Sequence, residues 1–220
     1  MPLLVEESFD GNLARWQTSD PRGAEPTWTI QSIKLNNVGE TFARAMGGSK
    51  YEPPYRSPWN IALLKAPIVG DFELSVRVQN TNYVAGDHRD LCIFWGYQDP
   101  AHFYYVHLGA KPDPHSCQIF VVDGADRKMI TDKESTGTPW GREWHQVEVR
   151  RNVETGSMEV YFDDLKTPLM TANDKRFPWG RVGLGTFDDH GNFDDFKLRG
   201  TAIEPIPDAA QLPNETMPND

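Results

Sequence analysis

Residues 181–200 read RVGLGTFDDHGNFDDFKLRG, and their period decides the fold. Val182, Leu184 and Thr186 fall on alternate positions, as do Phe196 and Leu198 after an acidic loop with His190, Gly191 and Asn192 at its tip. A side chain recurring at every second residue marks a strand with two different faces, whereas an amphipathic helix recurs at every third or fourth. Gly183 and Gly185 occupy the positions between, where a missing side chain lets a neighbour come close to the sheet. The stretch predicts two short strands joined by a tight loop.

The same period extends outward from it. Residues 71–79 (DFELSVRVQ) place Phe72, Leu74, Val76 and Val78 on one face and Glu73, Ser75, Arg77 and Gln79 on the other. That is the pattern of a half-buried strand. Residues 91–97 (LCIFWGY) are apolar on both faces, which suits a central strand and leaves its inward face open. Residues 102–108 put Phe103, Tyr105 and His107 on one side and Tyr104, Val106 and Leu108 on the other. Further strands are predicted at 3–9, 60–65, 117–123, 127–131, 144–150 and 157–163, with three short ones between 28 and 45. Residues 13–16 read as a turn or a short extended piece. Residues 46–59 (MGGSKYEPPYRSPW) hold three prolines and two adjacent glycines, which deny the backbone both ladder bonding and helix. The segment 201–220 has four prolines, four acids and no Lys or Arg, and predicts an extended tail after a single domain spanning 1–200. Its Asn214-Glu215-Thr216 matches a glycosylation acceptor, a pattern short enough to arise by chance.

Composition limits the function. With 22 Lys plus Arg against 32 Asp plus Glu, the net charge of −10 repels a phosphate backbone, so nucleic acid is not an expected partner. No apolar run reaches membrane length, and the opening MPLLVEESFDG has no basic segment and no long apolar run, so no secretory leader is read in it. A leader removed beforehand would look the same, which keeps an extracytoplasmic location open. Cys92 and Cys117 read as buried free thiols, with a bridge as the alternative if their strands are neighbours. The pattern specifies no oligomeric state.

The order W-H-Q-V-E-V, turn, G-S-M-E-V-Y-F-D-D, loop, W-G-R-V-G-L-G-T-F-D-D, F-D-D-F-K-L-R-G resembles the closing half of the concanavalin A-like jelly rolls, which include legume lectins, laminin G-like modules and many glucanases. In outline the chain also resembles uncharacterised bacterial domains grouped near sugar-acting hydrolases. The resemblance implies an all-β, two-sheet antiparallel jelly-roll sandwich and a carbohydrate-binding, lectin-like role on its concave sheet. It does not extend to the E-x-D-x-x-E strand of the β-glucanases: Glu73 is followed by Ser75 and Arg77 rather than by acids.

Within that frame the expected glycan site is a polar sheet face formed by Arg77, Tyr105 and His107, with Gln118 and Glu148 on neighbouring strands. His88, Arg89 and His115 would overhang it from loops. Rings stack on the apolar face of a pyranose, and Arg, Gln and His bond its hydroxyls or a uronate. The competing reading is a solvated face with ordinary pairs such as Arg77 with Glu148. As an enzyme the face suits a polysaccharide lyase, with Arg77 neutralising the uronate, His107 or His88 as base and Tyr105 as acid, or a glycoside hydrolase if acids from separate strands meet. No cofactor is required. The resemblance also implies a structural calcium where first and last strands meet, held by Asp10 and Asp195 with Asp194 as substitute. Asp188 and Asp189 form a second acidic cluster near His190. A structural or protein-interaction domain is the third reading.

Overall fold

The computed structural model describes residues 1–203 except Arg22, Asn36 and Asn37. It is a two-sheet antiparallel sandwich without an α-helix among those residues; one 3-10 turn, Gly86–His88, stands apart from the strands. In chain order the strands are β1 (Leu3–Glu7), β2 (Trp16–Thr18), β3 (Trp28–Leu35), β4 (Val38–Ala45), β5 (Asn60–Leu64), β6 (Val69–Asn80), β7 (Cys92–Asp99) and β8 (His102–His107). They continue with β9 (Gln118–Asp123), β10 (Lys128–Met129), β11 (Thr131–Lys133), β12 (His145–Arg151), β13 (Ser157–Phe162), β14 (Met170–Asn173), β15 (Arg181–Thr186) and β16 (Gly191–Ala202). Among the described residues, one sheet runs β11-β14-β13-β12-β6-β16-β4-β3 with β1 added along β16, and the other runs β10-β9-β8-β7-β15-β5-β2. We call them the nine-stranded and seven-stranded sheets. Among the described residues no helix is long and apolar enough to cross a membrane.

The inner faces make the core. From the nine-stranded sheet come Phe72, Leu74, Val76 and Val78 with Val147, Val149, Phe193 and Phe196; the seven-stranded sheet answers with Ile93, Trp95, Tyr104, Val106, Val182 and Leu184. Each fully buried aliphatic or Phe side chain contributes about 1.5–3 kcal/mol relative to an exposed one. The two-faced apolarity of residues 91–97 follows from a second layer. Cys92, Phe94, Phe103, Tyr105 and Phe120 point outward from the seven-stranded sheet, beneath the segment carrying Tyr51, Tyr55 and Trp59. The Pro- and Gly-rich loop 46–59 is thus a cover, and the strand below it is buried on both sides.

Several expectations are corrected. Residues 28–45 form two long strands paired residue for residue, not three short ones. Residues 127–131 divide between the sheets: β10 pairs with β9 while β11 pairs with β14. The halves of the 181–200 stretch also part, since β15 lies between β7 and β5 and β16 between β6 and β4. The acidic loop therefore crosses from one sheet to the other. Cys92 and Cys117 are free and buried. The strand β8 separates β7 from β9, and the two thiols belong to clusters on opposite faces, so they cannot bridge. Residues 13–16 are a turn, closed by the Trp16 amide donating to the Leu13 carbonyl. Strand β16 continues through Thr201 and Ala202, and residues 204–220, Asn214 among them, lie outside the described residues.

Two bulges carry consequences. Phe193 pairs with Val78 and Asp194 with Arg77, but Lys197 pairs with Ser75, so β16 holds one residue too many, and Asp195 absorbs it at φ +47°. That extra residue sends both phenylalanines of F-D-D-F inward although they are three apart. Likewise Phe94 and Tyr97 of β7 face Gly183 and Arg181 of β15, with the extra residue taken up near Gly96 at φ +56°.

Candidate functional site

The second bulge builds the candidate site. A left-handed conformation costs glycine little, and the bulge it permits turns Tyr97 to the outer face alongside Phe94. Gly180 completes the arrangement: a Cβ there would overlap the Gly96 carbonyl carbon and the Tyr97 amide, so only bare backbone lets β15 begin against the bulge. As a result Arg181 and Tyr97 lie side by side, with the guanidinium carbon 5.4 Å from the ring centroid. They stand at one wall of a groove of about 710 Å³ on the outer face of the seven-stranded sheet. Ile61 and Leu63 of β5 also line it, together with Gln17 of β2, Tyr51 and Glu52 of the covering loop, and Gln98 and Asp99 past the bulge. This volume is that of a small-ligand cleft.

Arg181 is 4 % exposed, and its Nη1 donates to Gln17 Oε1 at 2.6 Å. Its Nε is buried with no acceptor, and it forms no ion pair among the described residues. Burial pulls its pKa below the ordinary arginine value, with Tyr97 opposing, yet a guanidinium stays protonated at any physiological pH. Burial also pushes both phenols up, and Tyr51 raises Tyr97 further. Both rings are therefore neutral near pH 7 and are not bases; Tyr51 is half-buried, whereas Tyr97 is buried with Phe103 stacked on its ring. Of the carboxylates, Asp99 accepts from the Ala101 amide at 2.7 Å and meets His102 Nδ1 at 2.9 Å, and Asp20 accepts from the Thr27 amide and hydroxyl. Glu52 is exposed and uncommitted among the described residues.

The expected constellation divides between the two outer surfaces of the sandwich. Tyr105, His107 and Gln118 do share a face, on β8 and β9 of the seven-stranded sheet, but all three are buried. Phe187 covers Tyr105 and His107, and Arg127 lies over Phe120 and Phe187 while donating to the Tyr105 hydroxyl at 3.0 Å. His107 Nδ1 accepts from the Cys117 amide at 3.4 Å and Nε2 lies 3.3 Å from Asp90. Burial and the Arg127 charge push its pKa down to about 3, so the imidazole is neutral. Burial pushes the Tyr105 phenol well up.

Arg77 and Glu148 belong to the nine-stranded sheet. Arg77 meets Glu40, Asp194 and Asp195 at 2.8 Å each, with Nε near Asp195 but off the hydrogen-bond direction, and stacks 4.8 Å above Trp144. Its pKa is raised: burial pulls it down, and the carboxylates outweigh that. Burial pushes Asp194 up against the pull of Arg77, because the acid's side chain is far less exposed than its partner's. Glu148 pairs with Arg150, not with Arg77. Trp144 packs on this outer surface against Phe42.

Around these, Arg89 donates to the Asn80 and Gly141 carbonyls and so holds loops together, while His88 and His115 are exposed. The lyase trio is therefore not assembled, since Arg77 is across the sandwich from Tyr105 and His107 and the latter pair are sealed. Nor do Asp10, Asp194 and Asp195 form a metal set. Asp10 accepts from Ser8 at 2.7 Å, and Arg77 holds the other two.

A different acidic group does gather. One oxygen each of Asp90, Asp188 and Asp189 lie within 4.8 Å of one another, and this cluster could hold a metal ion. Burial and the Asp189 charge raise Asp90 to about 8. Asp189 accepts from Asn80, Asn82 and the Asp90 amide, and Asp188 is exposed. Hence the donor set suits a hard cation, which would replace the proton that Asp90 otherwise takes.

No protein-family model matches the chain, and no curated protein matches it. Solved structures share its fold. The carbohydrate binding module CBM66 from Bacillus subtilis superimposes with a TM-score of 0.55 at 15% identity, covering 84% of this chain and 96% of that one. Cellulose induced protein, Cip1, superimposes with a TM-score of 0.57 at 13% identity, covering 91% and 99%. At these identities the likeness is one of fold.

Proposed function

We propose that the chain binds carbohydrate in the groove over β2, β5 and β15. The observation that carries this reading is the groove itself, in which two neutral phenols and a guanidinium border an apolar floor formed by Ile61 and Leu63. A sugar presents an apolar ring face edged by hydroxyls, and such a lining matches both parts. The shared fold of the Bacillus subtilis carbohydrate binding module agrees in direction.

Binding is favoured over catalysis. Hydrolysis requires two carboxyl groups flanking one bond, about 5–5.5 Å apart for retention or about 6.5–9.5 Å for inversion. Two of the three groove acids are already held by their own loops, and the phenols are held neutral. The test is isothermal titration against a panel of neutral and acidic glycans, with reducing ends and unsaturated products followed in the same samples. The expected result is saturable binding without product, weakened about tenfold by Tyr51→Ala through loss of ring stacking. Product formation would make the chain an enzyme, and silence across the panel would leave a structural or protein-interaction domain.

For the acidic cluster we propose a structural calcium in place of one at Asp10, Asp194 and Asp195. Three carboxylates on two loops supply oxygen donors only, the set a hard cation prefers. Calcium is expected to raise the melting temperature and EDTA to lower it, with both effects lost in Asp189→Asn; a melt indifferent to both would remove the metal from the account.

A further inference from the structure

Arg181 is odd for a buried arginine. Burying a guanidinium is costly unless charge and hydrogen bonds compensate it, and here compensation stops at one amide oxygen and one ring. Arg151 is also buried with unsatisfied nitrogens, but its Nη1 is committed to the Gly156 and Ser157 carbonyls of a turn. What distinguishes Arg181 is that it lines an open groove of ligand size. A planar guanidinium with free donors is suited to bidentate recognition of a carboxylate.

The rest of the lining restricts the charge density of what binds. Two cations, Lys50 and Arg181, face three carboxylates, Asp20, Glu52 and Asp99, on a chain of net charge −10. A polymer charged at every residue would be repelled along most of the groove. One acidic group seated on Arg181, beside a neutral sugar on the half-buried Tyr51, meets attraction at one point and stacking at the other.

We infer that the groove selects a sparsely acidic glycan, a neutral oligosaccharide bearing a single uronate whose carboxylate pairs with Arg181. This rests on the groove being the glycan site. It concerns which glycan, and names Gln17 as the residue that orients the guanidinium.

The experiment titrates the full chain, in low salt, with methyl glycosides of glucuronate, galacturonate and mannuronate, their neutral hexoside counterparts, a 6-sulfated hexoside and tri-galacturonate. Uronides are expected to bind at least tenfold tighter than their neutral counterparts, and tri-galacturonate no tighter than the single uronide. Gln17→Glu supplies a carboxylate to Arg181 from within the chain without removing the arginine. It is expected to bring the acid-to-neutral ratio below about twofold, as is Arg181→Met once its melt shows a folded protein, while Arg77→Met on the opposite surface leaves the ratio unchanged. A ratio near one in the native chain overturns the uronate assignment and leaves glycan binding standing. An acid preference that survives Gln17→Glu overturns the role of Arg181, and tighter binding of the sulfated hexoside overturns the carboxylate. Failure of every sugar to bind overturns the glycan reading with it.

Discussion

Each outer surface of the sandwich carries an arginine resting on an aromatic ring, and the two have opposite surroundings. Arg77 lies over Trp144 and meets three carboxylates from β4 and the β16 bulge. Arg181 lies beside Tyr97 at another bulge and meets none among the described residues. In the first case the extra residue at Asp195 brings a second acid to the arginine next to Asp194; in the second, the one at Gly96 brings a ring to the arginine and leaves its charge unanswered. The comparison teaches that an arginine satisfied by its own chain holds the sheet, and one left unsatisfied beside a cavity is available to a ligand.

The comparison breaks most severely if Arg77 is not structural. Arg77→Met leaves Glu40, Asp194 and Asp195 crowded without a counter-charge and is expected to cost on the order of 2 kcal/mol in urea unfolding, below the figure for a fully buried pair because the arginine is partly exposed. Arg181→Met removes a desolvated charge that nothing pairs and is expected to change stability by less than about 1 kcal/mol in either direction. A larger loss for Arg181 than for Arg77 would reverse their roles.

Gly96→Ala tests the bulge. Its Cβ would lie 3.1 Å from the Tyr104 ring at φ +56°, and the expected cost is about 1–2 kcal/mol together with weaker glycan binding as Tyr97 shifts. Unchanged affinity would detach the bulge from the site.

A smaller effect is expected in alkali. The phenols of Tyr51 and Tyr97 are raised above their ordinary value of 10.0, so the folded chain holds these protons more tightly than the unfolded chain. Their contribution to stability is complete below that value and is lost as pH rises above it, toward the folded-state pKa. Stability should therefore be level in these groups from pH 7 to 9 and fall beyond 10, more gently in Tyr97→Phe; an identical fall in the variant would mean that Tyr97 ionises freely.

The smallest expected effect is none at all. Reductant should leave the melting temperature unchanged, because Cys92 and Cys117 face opposite sides of the seven-stranded sheet. A shift on reduction would contradict the strand order.

Much of the sandwich was legible because alternation is local. The faces of residues 71–79 and 102–108 follow from parity alone, with Tyr104 and Val106 in the core and Phe103 and Tyr105 outside it. Parity does not say which sheet a strand joins, since pairing is made between distant residues. Arg77 and Tyr105 both point outward as parity requires, but on two opposite surfaces. Nor does parity reveal that an outward face is covered, as Tyr105 and His107 are by Phe187 and Arg127. The apolar doubling of residues 91–97 was the sign that this sheet had a second cover. Bulges left fainter traces, the three-residue spacing of Phe193 and Phe196 and the glycine between Trp95 and Tyr97. Arg181 heads the same stretch, but its meaning depends on Gln17, Tyr51 and Tyr97, all distant in sequence. Of the acidic cluster, Asp188 and Asp189 were visible as neighbours, whereas Asp90 joins them only through folding.

The most direct measurement is a titration of the ¹⁵N-labelled chain with methyl glucuronide, following the arginine Nε–H resonances by NMR. The account predicts a saturable shift at Arg181 with no change at Arg77. A shift at Arg77, or saturable binding that leaves Arg181 unmoved, would place the site on another surface and contradict it.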